Sequence, residues 1–503
     1  MLFSWDYLLH GFGTALSPIN LLWATVGCLI GTLVGVLPGI GPSSGIAILL
    51  PLTTVLPPTS AIIMMAAIYY GAMYGGSTTA ITVNIPGEAA SVPTALDGYA
   101  MAKQGRAGPA LAMSAISSFV AGTLSLVGLT FFAPALANVA LAFGPADYFA
   151  LMFMGLSLVI SLSGKALLKG ILGATIGLLA SLIGQNPVTG AARLTFGSVE
   201  LMAGVNFISV IIGLFSISEV LLTTEQQVGH LYKVDITHLM PRWGDIRRCM
   251  GAMLRSCGVG FFLGLLPGCA PSVTTFISYD LEKRISKNSA MFGKGAIEGV
   301  AAAEGANNAC TSGGFVPLFA FGLPVAPSMA VLLGGLMMYG LQPGPMLFQQ
   351  KPEFVWAVIA SMYIGNVILL VLNLPLVGMW ARIAMIPFPI LGPLILLFSV
   401  IGAYSIRGLL FDVWIALIFG VIGYYMRKTG FPVVPMVLAS VLAQMLETSL
   451  QTALLISQGS WLVFFTRPIA AVFMTLALAS ITRGLWVQLR AHRLEVAEED
   501  SEV

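Results

Sequence analysis

Two short stretches carry most of the chemistry this chain could do. Gly35-Val-Leu-Pro-Gly-Ile-Gly-Pro-Ser43 returns 229 residues later as Gly264-Leu-Leu-Pro-Gly-Cys-Ala-Pro-Ser272, with six of nine positions identical. Each copy sets Pro-Gly inside an apolar run, with Pro-Ser after two further residues. Proline stops one helix but starts the next well. The new helix leaves free backbone N–H groups at its start, which attract an anion. Ser43, Ser44, Ser272 and Thr274 add hydroxyl donors there, while Pro38, Gly39, Gly41, Pro42, Pro267, Gly268 and Pro271 shape the two tips. The chemistry this suits is recognition of a carboxylate without a buried arginine. From Gly11 to Gly87 there is no Asp, Glu, Lys or Arg at all.

A second pair of stretches follows. Gly75, Gly76, Ser77, Thr78 and Thr79 lie in one half, and Asn308, Thr311, Ser312 and Gly313 in the other. Small and hydroxyl-bearing residues interrupt apolar sequence there, and the pattern predicts that each helix loosens. The blander reading makes them packing patches between close helices, and makes the tips plain kinks. Against it stand Asn84, Asn307 and Asn308, because an uncompensated amide is costly in hydrocarbon. Together with the tips they are expected to wall one cavity. Glu88 and Glu304 sit beside the same stretches, and acids inside a membrane default to function. Asn84, Asn307, Glu88 and Glu304 are therefore the candidates for a coupling cation, Na+ or H+. The competing reading puts Glu88 in a polar loop and Glu304 near one membrane face. Neither a resident metal nor another cofactor is expected.

Composition says what must position these groups. The chain has 503 residues, 57% hydrophobic and 9% charged, against about 25% charged in soluble proteins. The class is an all-α polytopic membrane protein of roughly 10–12 spans, at about 20 apolar residues each. No basic patch with interleaved aromatics points to nucleic acid. Five cysteines (28, 249, 257, 269 and 310) form no CxxC pair and read as packing residues. The N-terminus lacks the basic start of a cleavable signal peptide. Gly41-Pro-Ser-Ser-Gly45 matches Gly-x-Ser-x-Gly, which raises an intramembrane serine hydrolase using Ser43. The four histidines (10, 230, 238, 492) lie outside the apolar runs, and the second copy drops the pattern. An enzyme is not expected. A passive anion channel is the other alternative.

Taken in order, residues 1–18 form an amphipathic lead-in, 19–223 a first transmembrane repeat, 224–253 a basic connector, 254–485 a second repeat and 486–503 a polar tail, acidic and disordered from Glu495 on. Spans are expected at 108–133, 145–163, 166–184 and 199–223. Others are expected near 325–341 (where full crossing is open), 355–380, 388–405, 409–426, 433–456 and 461–482. Lys and Arg collect on the cytoplasmic side, which places the connector and the C-terminus inside. Residues 256–280 then have cytoplasmic charges at both ends, and two legs of about a dozen residues are too short to cross and return. This predicts a re-entrant helical hairpin with Pro267-Gly268 at its tip. The first knot would enter from the opposite face, giving inverted-topology repeats, each with a hairpin and a broken helix.

The chain resembles the TctA-type large membrane subunit of the tripartite tricarboxylate transporter family. The matching pieces are Gly35–Ser43, Gly75-Gly-Ser-Thr-Thr-Ala80, Asn84-Ile-Pro-Gly-Glu-Ala-Ala-Ser91, Ala95-Leu-Asp-Gly-Tyr99 and Glu298-Gly-Val-Ala-Ala-Ala-Glu-Gly-Ala-Asn-Asn-Ala309. The resemblance implies secondary, ion-driven symport of citrate-like di- or tricarboxylates across a bacterial inner membrane. It also implies two partners: a small TctB-type membrane subunit and a periplasmic TctC-type solute-binding protein.

Overall fold

The computed structural model describes residues 4–37, 41–163, 166–225, 239–383 and 388–502. They are almost entirely helical. The order is α1 (Trp5–Ala15), α2 (Pro18–Val36), α3 (Gly41–Leu49), α4 (Pro58–Val83), α5 (Val92–Lys103), α6 (Ala107–Ala140), α7 (Pro145–Ser161) and α8 (Leu167–Ser181). After a small β-hairpin come α9 (Val199–Met202), α10 (Phe207–Ile211), one π-helical turn and α11 (Ser218–Glu225). The second half holds α12 (Trp243–Gly264), α13 (Pro271–Ile285), α14 (Ile297–Phe321), α15 (Pro327–Met338), α16 (Pro345–Gln350) and α17 (Pro352–Asn373). It ends with α18 (Val377–Ile383), α19 (Phe388–Arg407), α20 (Leu410–Lys428), α21 (Val433–Ile456), α22 (Val463–Thr466) and α23 (Pro468–Glu502). Many helices open on proline, whose fixed φ and missing N–H suit the first turn.

Among the described residues, eight helices are long and apolar enough to cross a membrane. The chain is an all-α polytopic membrane protein. Two compact units form: residues 1–140 with 219–405, and residues 141–218 with 406–503. Each draws on both sequence halves. In the second unit α21 packs on α7 and α8, and α23 packs on α7. Asp147, fully buried, accepts from Ala470 N at 3.0 Å and from Arg467 Nη2 at 2.7 Å.

The first unit is built on two helix pairs of the same design. A Cβ on Gly31 of α2 would lie 2.5 Å from Ile68 O of α4. A Cβ on Gly260 of α12 would lie 2.6 Å from Ala306 O of α14. Gly31 and Gly260 are 229 residues apart; Ile68 and Ala306 are 238 apart. Only glycine permits so close a backbone approach. With the same offsets, Asn84 (φ 59°) and Gly322 (φ 70°) close α4 and α14 in the left-handed conformation. Each knot helix packs on its own half and also reaches the other. Helix α3 packs on α15 of the second half, and α13 packs on the 89–91 turn of the first.

Several expectations are corrected. Helices α4 and α14 run unbroken through Gly75–Thr79 and Thr311–Gly313. The glycines serve close packing, and the hydroxyls bond back to their own helix: Thr79 to Gly76 O, Thr311 to Asn307 O, Ser312 to Asn308 O. The span expected at 199–223 is divided, because Gly204 (φ 77°) turns the chain and Asn206 caps a new helix. The tail to Glu502 continues α23; its Glu, Ala and Leu are good helix formers. Of the connector, 226–238 lie outside the described residues, and Trp243 onward belongs to α12.

Candidate functional site

Helices α4 and α14 are the most deeply placed. Every residue from Ser60 to Thr82 and from Ile297 to Ala320 is buried. They pass each other in opposite directions. Ser77 touches Glu304 near one end, and the Tyr69 and Phe315 rings sit 6.3 Å apart toward the other.

Glu304 projects from α14 into first-half helices and is fully buried. Ser77 of α4 donates to its Oε2 at 2.6 Å, Thr94 of α5 donates to Oε1, and Ser118 of α6 lies 3.4 Å from Oε2. One acid of the second half is thus held by hydroxyls of the first, Ser114 of α6 among them. Hydroxyl donors make a buried carboxylate tolerable without a cation beside it. One turn further along α14, Asn307 Nδ2 donates to Glu88 Oε1 at 2.9 Å. The Asn307 Oδ1 is buried and accepts nothing among the described residues. Gly76 faces the Glu88 side chain, where a Cβ would lie 2.7 Å from Cγ.

A second carboxylate fixes the approach to α14. Asp97 of α5, fully buried, accepts from Gly293 N, Gly295 N and Ala296 N at 2.8 Å each, and from Tyr279 OH at 2.7 Å. Nearby, charged residues gather at one end of the unit. Arg248 of α12 pairs with Glu298 at 3.0 Å, and Asn288, just past α13, donates to the same carboxylate at 3.0 Å. Arg255 and Glu282 pair between the two helices at 2.7 Å. The α12–α13 hairpin therefore starts and finishes at the same end. Gln104, beside Lys103 and Arg106, donates to Lys294 O there.

The expected site residues distribute as follows. Ser77, Glu304, Glu88 and Asn307 come together, with Gly75, Gly76, Thr78 and Thr79 buried behind them. Asn84 is the exposed end cap of α4. Pro38 and Gly39 lie outside the described residues. Gly41 (φ 62°) and Pro42 open α3, Ser44 is buried, and Ser43 Oγ sits 3.0 Å from Ser328 Oγ of α15. At the second knot Pro267 is buried, and Gly268 (φ 84°) donates to Val325 O at 3.3 Å. Pro271 and half-buried Ser272 open α13. Gly313 packs against Phe261 O. Asn308 and Ser312 face a small cavity, which Tyr70, Gly122 and Asn366 also line.

Sequence reasoning passed over Thr94, Ser118, Tyr70, Tyr74 and Asn366. Asn366 carried a signal, a lone amide inside an apolar span. It accepts from Tyr74 OH at 2.6 Å and donates to Phe119 O and Thr123 Oγ1. Single hydroxyls such as Ser118, among many small residues, carried none.

The sequence profile of the "Tripartite tricarboxylate transporter TctA family" matches residues 21–438. A protein of Agrobacterium vitis described as "Uncharacterized 52.8 kDa protein in TAR-I ttuC' 3'region" is 44% identical over 494 residues, covering 97% of this chain and 98% of the relative. A second from the same organism, "Uncharacterized protein in TAR-II ttuC' 3'region", is 43% identical over 241 residues, 48% of this chain and 100% of the relative. No solved structure matches.

Proposed function

The chain belongs to the tripartite tricarboxylate transporter TctA family, and from that premise we propose that it is the large permease subunit for ion-driven uptake of citrate-like di- or tricarboxylates. Its place is the bacterial inner membrane, with the C-terminus cytoplasmic. A small TctB-type subunit and a periplasmic TctC-type binding protein work with it, and a Na+ or H+ gradient supplies the energy.

The observation that carries this reading is Glu304. A buried acid of one half is satisfied by hydroxyls of the other. Any movement of the halves past each other must break those bonds, so the acid's state and the protein's conformation are linked. Full burial of Glu304 favours a closed, alternating site over an open anion channel. Antiparallel α4 and α14 in equivalent frames support inverted repeats, and the shared end of α12 and α13 supports a re-entrant hairpin. Among the described residues Ser43 is paired with Ser328, a hydroxyl and not a base, which weighs against the hydrolase reading.

Substrate carboxylates are assigned to the starts of α3 and α13. Ser43→Ala and Ser272→Ala should each weaken apparent uptake affinity by about tenfold. Thr175→Ala, at an exposed hydroxyl bonded to its own helix, is the neutral control. The decisive experiment is uptake of a labelled carboxylate panel into proteoliposomes, with and without binding protein, under Na+ or pH gradients. Gradient-independent equilibration would make the protein a channel. In a cysteine-free background, Cys at 244 and at 288 should label only from the cytoplasm. Labelling from opposite sides would rule out the re-entrant hairpin.

A further inference from the structure

The cavity beside Asn308 has room for about one water-sized particle. It lies between α4, α6, α14 and α17, where equivalent positions of the two halves face one another. Tyr70 and Asn308 are 238 residues apart, the offset that relates α4 to α14. Gly122 and Asn366 are 244 apart, the offset that aligns Ser117-Ser-Phe-Val120 with Ser361-Met-Tyr-Ile364. The duplicated frame meets itself here, yet each pair is filled unequally.

Most of the amide and hydroxyl hydrogens around the cavity are engaged elsewhere. Asn366 spends its amide hydrogens on Phe119 O (3.0 Å) and Thr123 Oγ1 (2.9 Å). Asn308 Nδ2 turns back to Glu304 O at 3.3 Å, and the Ser312 hydroxyl donates to Asn308 O at 3.2 Å. What remains for the cavity is chiefly oxygen lone pairs, on Asn308 Oδ1, Ser312 Oγ and Asn366 Oδ1, beside one hydrogen of Asn308 Nδ2. Tyr70 OH is 6% exposed as a residue and has no hydrogen-bond partner among the described residues. Gly365 makes the room that this hydroxyl occupies.

We propose that the Tyr70–Asn308–Ser312–Asn366 cavity binds a dehydrated, water-sized monovalent cation, with sodium the fitting size. Neutral oxygens with few hydrogens aimed inward suit a single positive charge. A divalent ion would call for carboxylates, and the cavity lining has none. The cation would tie both halves together at one point, as Glu304 does at another. Binding there rests on, and deepens, the ion-driven reading of the permease.

The test uses the full-length chain in detergent, without substrate or partners. Thermal unfolding is followed while NaCl replaces choline chloride at constant ionic strength, because a ligand of the folded state raises its stability. Sodium should raise the melting temperature with a saturable dependence, and potassium much less. Tyr70→Phe and Ser312→Ala are small changes expected to fold; each should weaken the sodium midpoint by about threefold or more. Asn308→Ala should weaken it by about tenfold or more, and Thr175→Ala should leave it unchanged. A sodium effect lost in Glu304→Gln but kept in Tyr70→Phe, Ser312→Ala and Asn308→Ala would move the cation to the acid cluster and overturn the proposal. Equal melting in sodium and choline would leave the cavity a water site and also overturn it. In that case uptake driven by a pH gradient would show that the permease reading survives. Sodium binding with the expected variant pattern, but no carboxylate uptake under any gradient, would keep the site and sink the permease.

Discussion

Helices α4 and α14 occupy equivalent frames and carry opposite chemistry. Both lean on a glycine-lined partner helix, both are buried along their length, and both end in a left-handed cap. At matching positions, however, α14 has Glu304, Asn307, Asn308 and Ser312 where α4 has Ala66, Tyr69, Tyr70 and Tyr74. The backbone contacts are what the two halves share, and the polar side chains are where they differ. A duplicated frame thus supplies geometry twice, and a single set of acids and amides makes it a site once.

The largest effect should come from exchanging that chemistry. Glu304→Ala leaves the Ser77, Thr94 and Ser118 hydroxyls without their acceptor, at about 1–3 kcal/mol for each buried donor left unmade. Uptake should vanish and the melting temperature fall. Ala66→Glu puts an acid at the matching point of α4, among buried Ile63, Met65 and Ala67, and should cost several kcal/mol or block folding. Rescue of Glu304→Ala by Ala66→Glu in the double variant would show that the positions are interchangeable, and the comparison would collapse.

Next come the shared contacts. Gly31→Leu and Gly260→Leu each drive a side chain into a backbone carbonyl, at about 1–3 kcal/mol or more. Their melting temperatures should fall alike; a silent member of the pair would break the equivalence of the frames. Smaller again is the ranking of donors to Glu304. Ser77→Ala removes the closer of these two hydroxyls from the buried acid and should cost about 1–3 kcal/mol. Ser118→Ala, at 3.4 Å, should cost less. Equal losses would mean that Glu304 is held differently from the arrangement described. Smallest is the cap swap. Asn84→Gly, at an exposed position, should change stability by less than about 1 kcal/mol, since both residues accept the left-handed conformation.

The knots were legible in the sequence because Pro-Gly acts locally: it ends a helix whatever packs around it. The span at 433–456 was legible to the residue, because a long apolar run with polar ends has few other outcomes in a membrane. Gly75–Thr79 misled for the opposite reason. Glycine, serine and threonine weaken an isolated helix, but here neighbouring helices and back-bonded hydroxyls complete it, and neither is visible from one strand of sequence. Glu304 could be picked out as a buried acid. Its partners could not, because which hydroxyl of α5 or α6 faces it depends on the rotation of each helix.

The polarity of α14 also bears on how the protein is made. Neither α4 nor α14 is among the eight helices apolar enough to stand alone in lipid. An acid at the centre of a lone helix costs about 2.5–3.5 kcal/mol on insertion scales, and α14 adds two asparagines to Glu304. Its cover is α12 and α13, made shortly before it, and α6, made long before. Synthesis must therefore hold early helices near the insertion channel until α14 emerges, so that the membrane receives it already wrapped. A chain cut after α13 would leave Ser77, Thr94 and Ser118 waiting for a carboxylate that never arrives.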